Sequence, residues 1–343
     1  MSEYFLRQED LPRFLQSLMA AVPVVGPVAK KNHFVFQKLS SPEELRLDYD
    51  VSLLPPKKAI FPQTQRLLDF SPNGPKSCIA PREQVLFGVH FYDIKAIDML
   101  DHLFSENVAD QNYLANRHAT TIVGSSIQKI SDRAFWGSVG KNTQPKGHDA
   151  FLTKISGGFH FKALTEKGEK LTSHGQFSKA SDAQSKEAKQ VNEEILGKCP
   201  QRLQHSAEQI AQKVRASFKN EKLWDELAEK CFSCGSCNIA CSTCYCFDVQ
   251  DKWNLDQKSG HRTRTWDACL TEDFAKVSLG AGGATENFRE KRSHRFRHRV
   301  MRKTAYLNDK LGGPACVGCG RCSEGCVPDI ADPVKIINKI MES

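Results

Sequence analysis

Long hydrophobic runs are missing from this chain of 343 residues. A membrane helix needs about eighteen consecutive apolar residues, and no such stretch occurs. The longest candidate, Leu18 to Ala29, is short and broken by Pro23 and Pro27, so no membrane span is expected. The N-terminus, Met1-Ser2-Glu3-Tyr4, lacks the basic start and apolar core of a secretory signal. What is plentiful is cysteine, thirteen in all, an odd number mostly in metal-ligand spacing. That usage points away from a disulfide framework and towards a reducing cytoplasm. Hydrophobic residues make up 40%, ordinary for a soluble globular protein, and the formal net charge of +8 is concentrated late in the chain.

Two stretches organise the rest. Cys231-Phe232-Ser233-Cys234-Gly235-Ser236-Cys237-Asn238-Ile239-Ala240-Cys241 has the spacing C-x2-C-x2-C-x3-C. The same spacing returns at Cys316-Val317-Gly318-Cys319-Gly320-Arg321-Cys322-Ser323-Glu324-Gly325-Cys326. A cubane of iron and sulfur needs four thiolates, and a short loop places three of them by setting a cysteine at every third position. The fourth, past a longer gap, points away and in two-cluster ferredoxins ligates the other cluster. One [4Fe–4S] cluster is therefore assigned to Cys231, Cys234, Cys237 and Cys326. The other is assigned to Cys316, Cys319, Cys322 and Cys241.

Three thiols remain close by: Cys244 and Cys246 follow the first loop at once, and Cys269 lies further on. They are either a third metal site or redox-active thiol group, or buried cysteines that pack around the first cluster and tune its sulfurs. The second reading is the simpler. Cys78 and Cys199 are isolated and read as inert.

The length favours two domains. Residues 1–177 read as an α/β domain, structural or a docking surface, because Val85 to Val89, a helix from about Asp93 to Phe104, and Thr120 to Gly124 suggest a βαβ unit. Gly157-Gly158 between Phe151–Ile155 and Phe159–Ala163 signals a hairpin. Pro55-Pro56-Lys57-Lys58 reads as an extended connector. Residues 178–225 read as a helical linker, and 226–343 as an all-helical two-cluster domain of the ferredoxin kind. The fold class expected is thus α+β overall, the α/β half followed by the all-helical half.

Zinc sites take four ligands, commonly as two separated C-x2-C pairs, so a third cysteine at the same spacing in each loop would be surplus. The basic run from Arg289 to Lys303 is what a zinc-containing nucleic-acid binder would use, and that is the alternative function. With two anionic clusters in the chain, the same charges instead stabilise reduced iron or dock an acidic partner, and no nucleic acid is expected. No nucleophile, general base or substrate pocket stands out, so the chain reads as an electron carrier rather than a catalyst on its own.

The residues from Trp224 to Pro328 resemble the iron–sulfur subunits found in anaerobic sulfite reductases and, as the beta subunit, in soluble sulfhydrogenases. The resemblance is carried by Cys231 to Cys246 with Phe247-Asp248-Val249, by Trp266-Asp267-Ala268-Cys269, by Asn287-Phe288-Arg289, and by the second cysteine loop. It implies a hetero-oligomer with a flavin subunit oxidising NAD(P)H and a catalytic subunit of sulfite reductase or nickel–iron hydrogenase type. The chain departs from the family at Tyr92, Ser126 and Ala134-Phe135-Trp136, where many members carry cysteines. A further cluster held there in relatives would be absent here.

Overall fold

The computed structural model describes residues 2–140, 145–280 and 283–343. In chain order the strands are β1 (Ser2–Arg7), β2 (Val24–Lys30), β3 (His33–Lys38), β4 (Thr64–Ser71), β5 (Gly74–Ser77), β6 (Gln84–His90) and β7 (Thr120–Ser125). They continue with β8 (Ala150–Ile155), β9 (Gly158–Ala163), β10 (Ser178–Lys179), β11 (Phe247–Trp253), β12 (Gly260–Trp266), β13 (Lys276–Ser278) and β14 (Thr285–Asn287).

Eight of these strands make one mixed sheet in the order β10-β1-β9-β8-β7-β6-β2-β3. The central pairs β2–β6, β6–β7 and β7–β8 are parallel, and the outer pairs are antiparallel. β6 reads Val85-Leu86-Phe87-Gly88-Val89 without a polar interruption and is buried throughout. A strand covered on both faces has that composition, because neither face meets water. The helix Leu11–Ala21 covers one side with Phe14, Leu15 and Leu18. The helix Phe91–Ser105 leaves β6 directly and brings Asp93 into its first turn.

The all-helical second half does not hold. β11 and β12 form a hairpin in register from Phe247 opposite Trp266 to Trp253 opposite Gly260. β12 then pairs with β4, and β4 with β5, so one four-stranded sheet is built from residues of both halves of the chain. β13 and β14 add a further hairpin. The physical reason lies in period and composition. Phe247, Val249, Thr263 and Thr265 alternate with charged residues, the period-2 pattern of a strand. Asp256 closes the connecting turn by accepting from the Lys258 and Ser259 N–H groups. The helical expectation rests on helical segments between and around the cysteine loops, with Phe296, Val300, Leu307 and Leu311 in one narrow arc. These say nothing about residues 247–266.

Helices do enclose those loops. Asp182–Gly197 and Ala207–Ala216 each start with a capping box, Ser181 with Gln184 and Ser206 with Gln209. Glu221–Ala228 then delivers the chain to Cys231. Arg292–Thr304 packs Phe296, Val300 and Met301 on these helices and on Ile336, Ile337 and Ile340 of the last helix, Pro333–Glu342. Among the described residues no helix is long and apolar enough to cross a membrane.

Candidate metal centre

The two cysteine loops share one backbone. Ser233 (φ 54°) corresponds to Gly318 (φ 65°), and Gly235 (φ 74°) to Gly320 (φ 82°), all in the left-handed region. These turns aim backbone N–H groups at sulfur: Ser233 N donates to Cys231 Sγ at 3.4 Å, and Gly318 N to Cys316 Sγ at 3.5 Å. One short helical turn follows in each, Ser236–Ile239 and Arg321–Glu324. It ends with Cys241 N bonded to Asn238 O at 3.1 Å and Cys326 N to Ser323 O at 3.2 Å. Successive N–H groups in such a concave turn favour an anion.

Gly318 and Ser233 separate two causes for a glycine. The φ of Ser233 is tolerated in a non-glycine residue, but a Cβ on Gly318 would sit 2.5 Å from the Trp136 backbone. Gly318→Ala is expected to cost about 1–3 kcal/mol, read from the denaturant midpoint, whereas Ser233→Ala is expected to cost less than about 0.5 kcal/mol.

Cys231, Cys234 and Cys237 line one cavity together with Cys326, against Leu270 and Phe296. A second cavity is lined by Cys316, Cys322 and Cys241, with Arg299 and Lys303 beside them. Cys319 is not in that lining; it is buried, with its Sγ 3.9 Å from the Oγ of Ser242, the residue after Cys241. Cys234 is the exposed member of the first set. Burial raises the Cys237, Cys319 and Cys322 thiols and pushes Cys316 up to about 12. Thiolates at these positions therefore need a metal to displace the proton.

Cations are buried around the sulfurs. Lys57 is 2% exposed and donates to the carbonyls of Cys241 (2.8 Å) and Cys244. Burial lowers its ammonium to about 8. Its segment is a turn of 3-10 helix, Pro56–Ala59, rather than an extended connector, because proline fits the first position of a helical turn. Lys303 donates to Thr243 Oγ1 at 2.7 Å. Burial pulls Lys303 down, but the Cys241 and Cys244 sulfurs outweigh it and the net shift is upward. Arg299 is buried, and its Nε has no partner among the described residues. A buried guanidinium nitrogen without a hydrogen-bond partner is costly, so this cage fits an anionic thiolate-ligated iron–sulfur group.

A buried ion pair ties the second loop to the large sheet. Arg321 and Asp93 are each 1% exposed at the side chain, and Arg321 Nη1 donates to Asp93 Oδ1 at 2.7 Å. The same guanidinium donates to Ser52 O, Ser52 Oγ and Ser242 Oγ, and Ser242 Oγ donates to Asp93 at 2.6 Å. Ser242 follows Cys241, so one network fixes both loops against the helix Phe91–Ser105.

Within the basic segment from Arg289 to Lys303, Arg295, Arg297 and Arg299 are buried, while Lys291 and Arg292 are exposed. Arg295 donates to the carbonyls of Leu270 and Arg289, and Arg297 to Phe218 O and Glu221. Tyr92 stacks on Trp136 (5.6 Å between centroids, 16°), and Ala134 is buried in the same cluster beside Cys316 and Cys319. Cys244, Cys246 and Cys269 line a small cavity with Asn238. Cys78 lies apart, and Cys199 packs beside Trp136. Sequence reasoning missed Lys57 and the Asp93–Arg321 pair. Lys57 carries no local signal, while an arginine between Cys319 and Cys322 is a weak one.

A family model described as a 4Fe-4S dicluster domain matches residues 230–330. Over 339 residues the chain is 32% identical to the sulfhydrogenase 2 subunit beta of Pyrococcus furiosus, a match that covers 98% of each chain. No solved structure matches.

Proposed function

The chain belongs to the family of the sulfhydrogenase beta subunits, iron–sulfur electron-transfer proteins, and from that premise we propose that it relays single electrons through two [4Fe–4S] clusters within a hetero-oligomer. Electrons enter from a flavin subunit that oxidises NAD(P)H and leave to a catalytic subunit of sulfite reductase or hydrogenase type, in the cytoplasm. Cys231, Cys234, Cys237 and Cys326 hold one cluster, and Cys316, Cys319, Cys322 and Cys241 the other. What supports this reading is that Cys326 lines the first cavity with Cys231, Cys234 and Cys237, and that Cys241 lines the second with Cys316 and Cys322.

When bound, such clusters supply one-electron chemistry at potentials the protein sets. The chain's own part is to bury the sulfurs, donate N–H groups to them from Ser233 and Gly318, and hold cations near. Anaerobically purified protein should contain about eight iron and eight acid-labile sulfide, and dithionite should bleach its visible band. Fewer than about four irons after reconstitution would overturn the reading. Lys303→Met removes a cation beside the Cys241 and Cys316 sulfurs. The nearer cluster should then be harder to reduce by roughly 40–90 mV, equal to about 1–2 kcal/mol for one electron, in a redox titration followed by electron paramagnetic resonance.

A further inference from the structure

The three surplus thiols share one small cavity with Asn238, whose Nδ2 lies 3.0 Å from Cys269 Sγ and 3.7 Å from Cys244 Sγ. Cys244 lies just past the first loop, whereas Cys246 and Cys269 stand at the end of the β11–β12 ladder, one on each strand's extension, and line the same cavity. Topology sets that placement. β11 and β12 run in register to Phe247 opposite Trp266, and the next step of the ladder bonds Asp267 N to Cys246 O at 3.0 Å. The chain then turns, with Thr271 N and Oγ1 both bonded to Ala268 O, and the turn leaves Cys269 on the wall of the cavity that Cys246 also lines. Both are free thiols. Cys269 is 4% exposed, and Cys246 is partly open to solvent.

The pair is joined to the first cysteine loop. Asn238, buried between Cys237 and Cys241, donates its Nδ2 to Cys269 Sγ at 3.0 Å. Arg299 and Lys303 line both this cavity and the one that holds Cys241, Cys316 and Cys322. Two free thiols on the wall of one small cavity, beside one-electron carriers, can take up and release electrons as a pair.

We propose that Cys246 and Cys269 are a dithiol–disulfide couple that stores two electrons alongside the one-electron relay. Oxidation forms one S–S bond and breaks two S–H bonds, releasing two protons to solvent at Cys246 and two electrons, one at a time, to the relay. Reduction takes two single electrons and two protons and restores both thiols. The chain then holds an even-electron store between a hydride donor and a one-electron path. This deepens the proposed function and depends on it for the electrons, though the cross-link itself does not.

The test uses the full-length protein, reconstituted anaerobically, oxidised with thionine and titrated with dithionite. Iron and sulfide are counted in the same samples for the wild type, Cys246→Ser and Cys269→Ser. In parallel, oxidised wild-type protein is quenched in acid, alkylated and peptide-mapped. At equal iron, the wild type should take up about two electrons more than either variant, and the map should show a Cys246–Cys269 cross-link absent after reduction. Equal uptake with both thiols alkylated in the oxidised protein would overturn the couple. So would iron lost in either variant, because the thiols would then be metal ligands. Should a variant fail to fold, the wild-type map decides alone. Iron below about four per chain in the wild type would strike the proposed relay instead, leaving the cross-link map to decide the couple.

Discussion

Replacing Cys326 with alanine is expected to remove about four of eight irons, and the cluster lost should be the one whose other ligands lie some ninety residues earlier. Cys326 ends the second loop in sequence but lines the cavity of Cys231, Cys234 and Cys237. The assignment is tested most sharply by pairing substitutions. If fourth thiols are exchanged, Cys316→Ala and Cys326→Ala disable different clusters, and the double variant should lose nearly all its iron. If each loop keeps its own four thiols, the double variant loses only what either single variant does, about half. Cys316→Ala with Cys241→Ala is the mirror experiment: both sulfurs line the second cavity, so under exchange half of the iron should remain. Iron and sulfide analysis separates the two schemes without reference to any partner.

Asp93→Ala is expected to be the most destabilising single substitution outside the cysteine loops, by about 3–5 kcal/mol. Its carboxylate is the only acidic partner of Arg321 among the described residues, and both side chains are out of solvent. Neighbouring charge, from Asp93 and the Cys319 sulfur, holds the Arg321 guanidinium protonated despite its burial. Removing the carboxylate leaves a buried cation with only neutral acceptors, Ser52 and Ser242. The melting temperature should fall by several degrees. The loss should be larger than for Asp93→Asn, which keeps an acceptor oxygen in place. Replacing both partners by apolar residues of similar volume should recover most of the loss, since the cost arises from the unpaired charge rather than from the missing contact. Because Arg321 lies between Cys319 and Cys322, iron retention after reconstitution should fall along with stability in Asp93→Ala.

Several features are legible in the sequence because they are local. A cysteine at every third position constrains a loop of a dozen residues, and Gly318 and Gly320 mark where its backbone must turn left-handed. The apolar run Val85 to Val89 and the glycine pair at Gly157 belong to strands for equally local reasons. The hairpin of β11 and β12 is locally encoded too, in Phe247, Val249, Thr263 and Thr265. A helical frame extrapolated from the later segment with Phe296 and Val300 hides it, because the period of one part of the insert carries no information on another. The basic segment before Lys303 cannot be read by charge at all, since a helix rich in arginine looks the same whether its guanidinium groups meet solvent, carbonyls or sulfur.

Sequence by itself determined the duplicated sulfur loops, the kind of cofactor they suit and the family, because ligand spacing and backbone turns are properties of neighbouring residues. Tertiary structure alone decided which charges surround the sulfurs. Lys57 reaches a carbonyl 184 residues away, Arg321 meets a carboxylate 228 residues away, and β4 joins β12 across the length of the chain. Electrostatic energy depends on separation in space and on exclusion of water. Neither quantity is carried by the order of residues until the chain has folded.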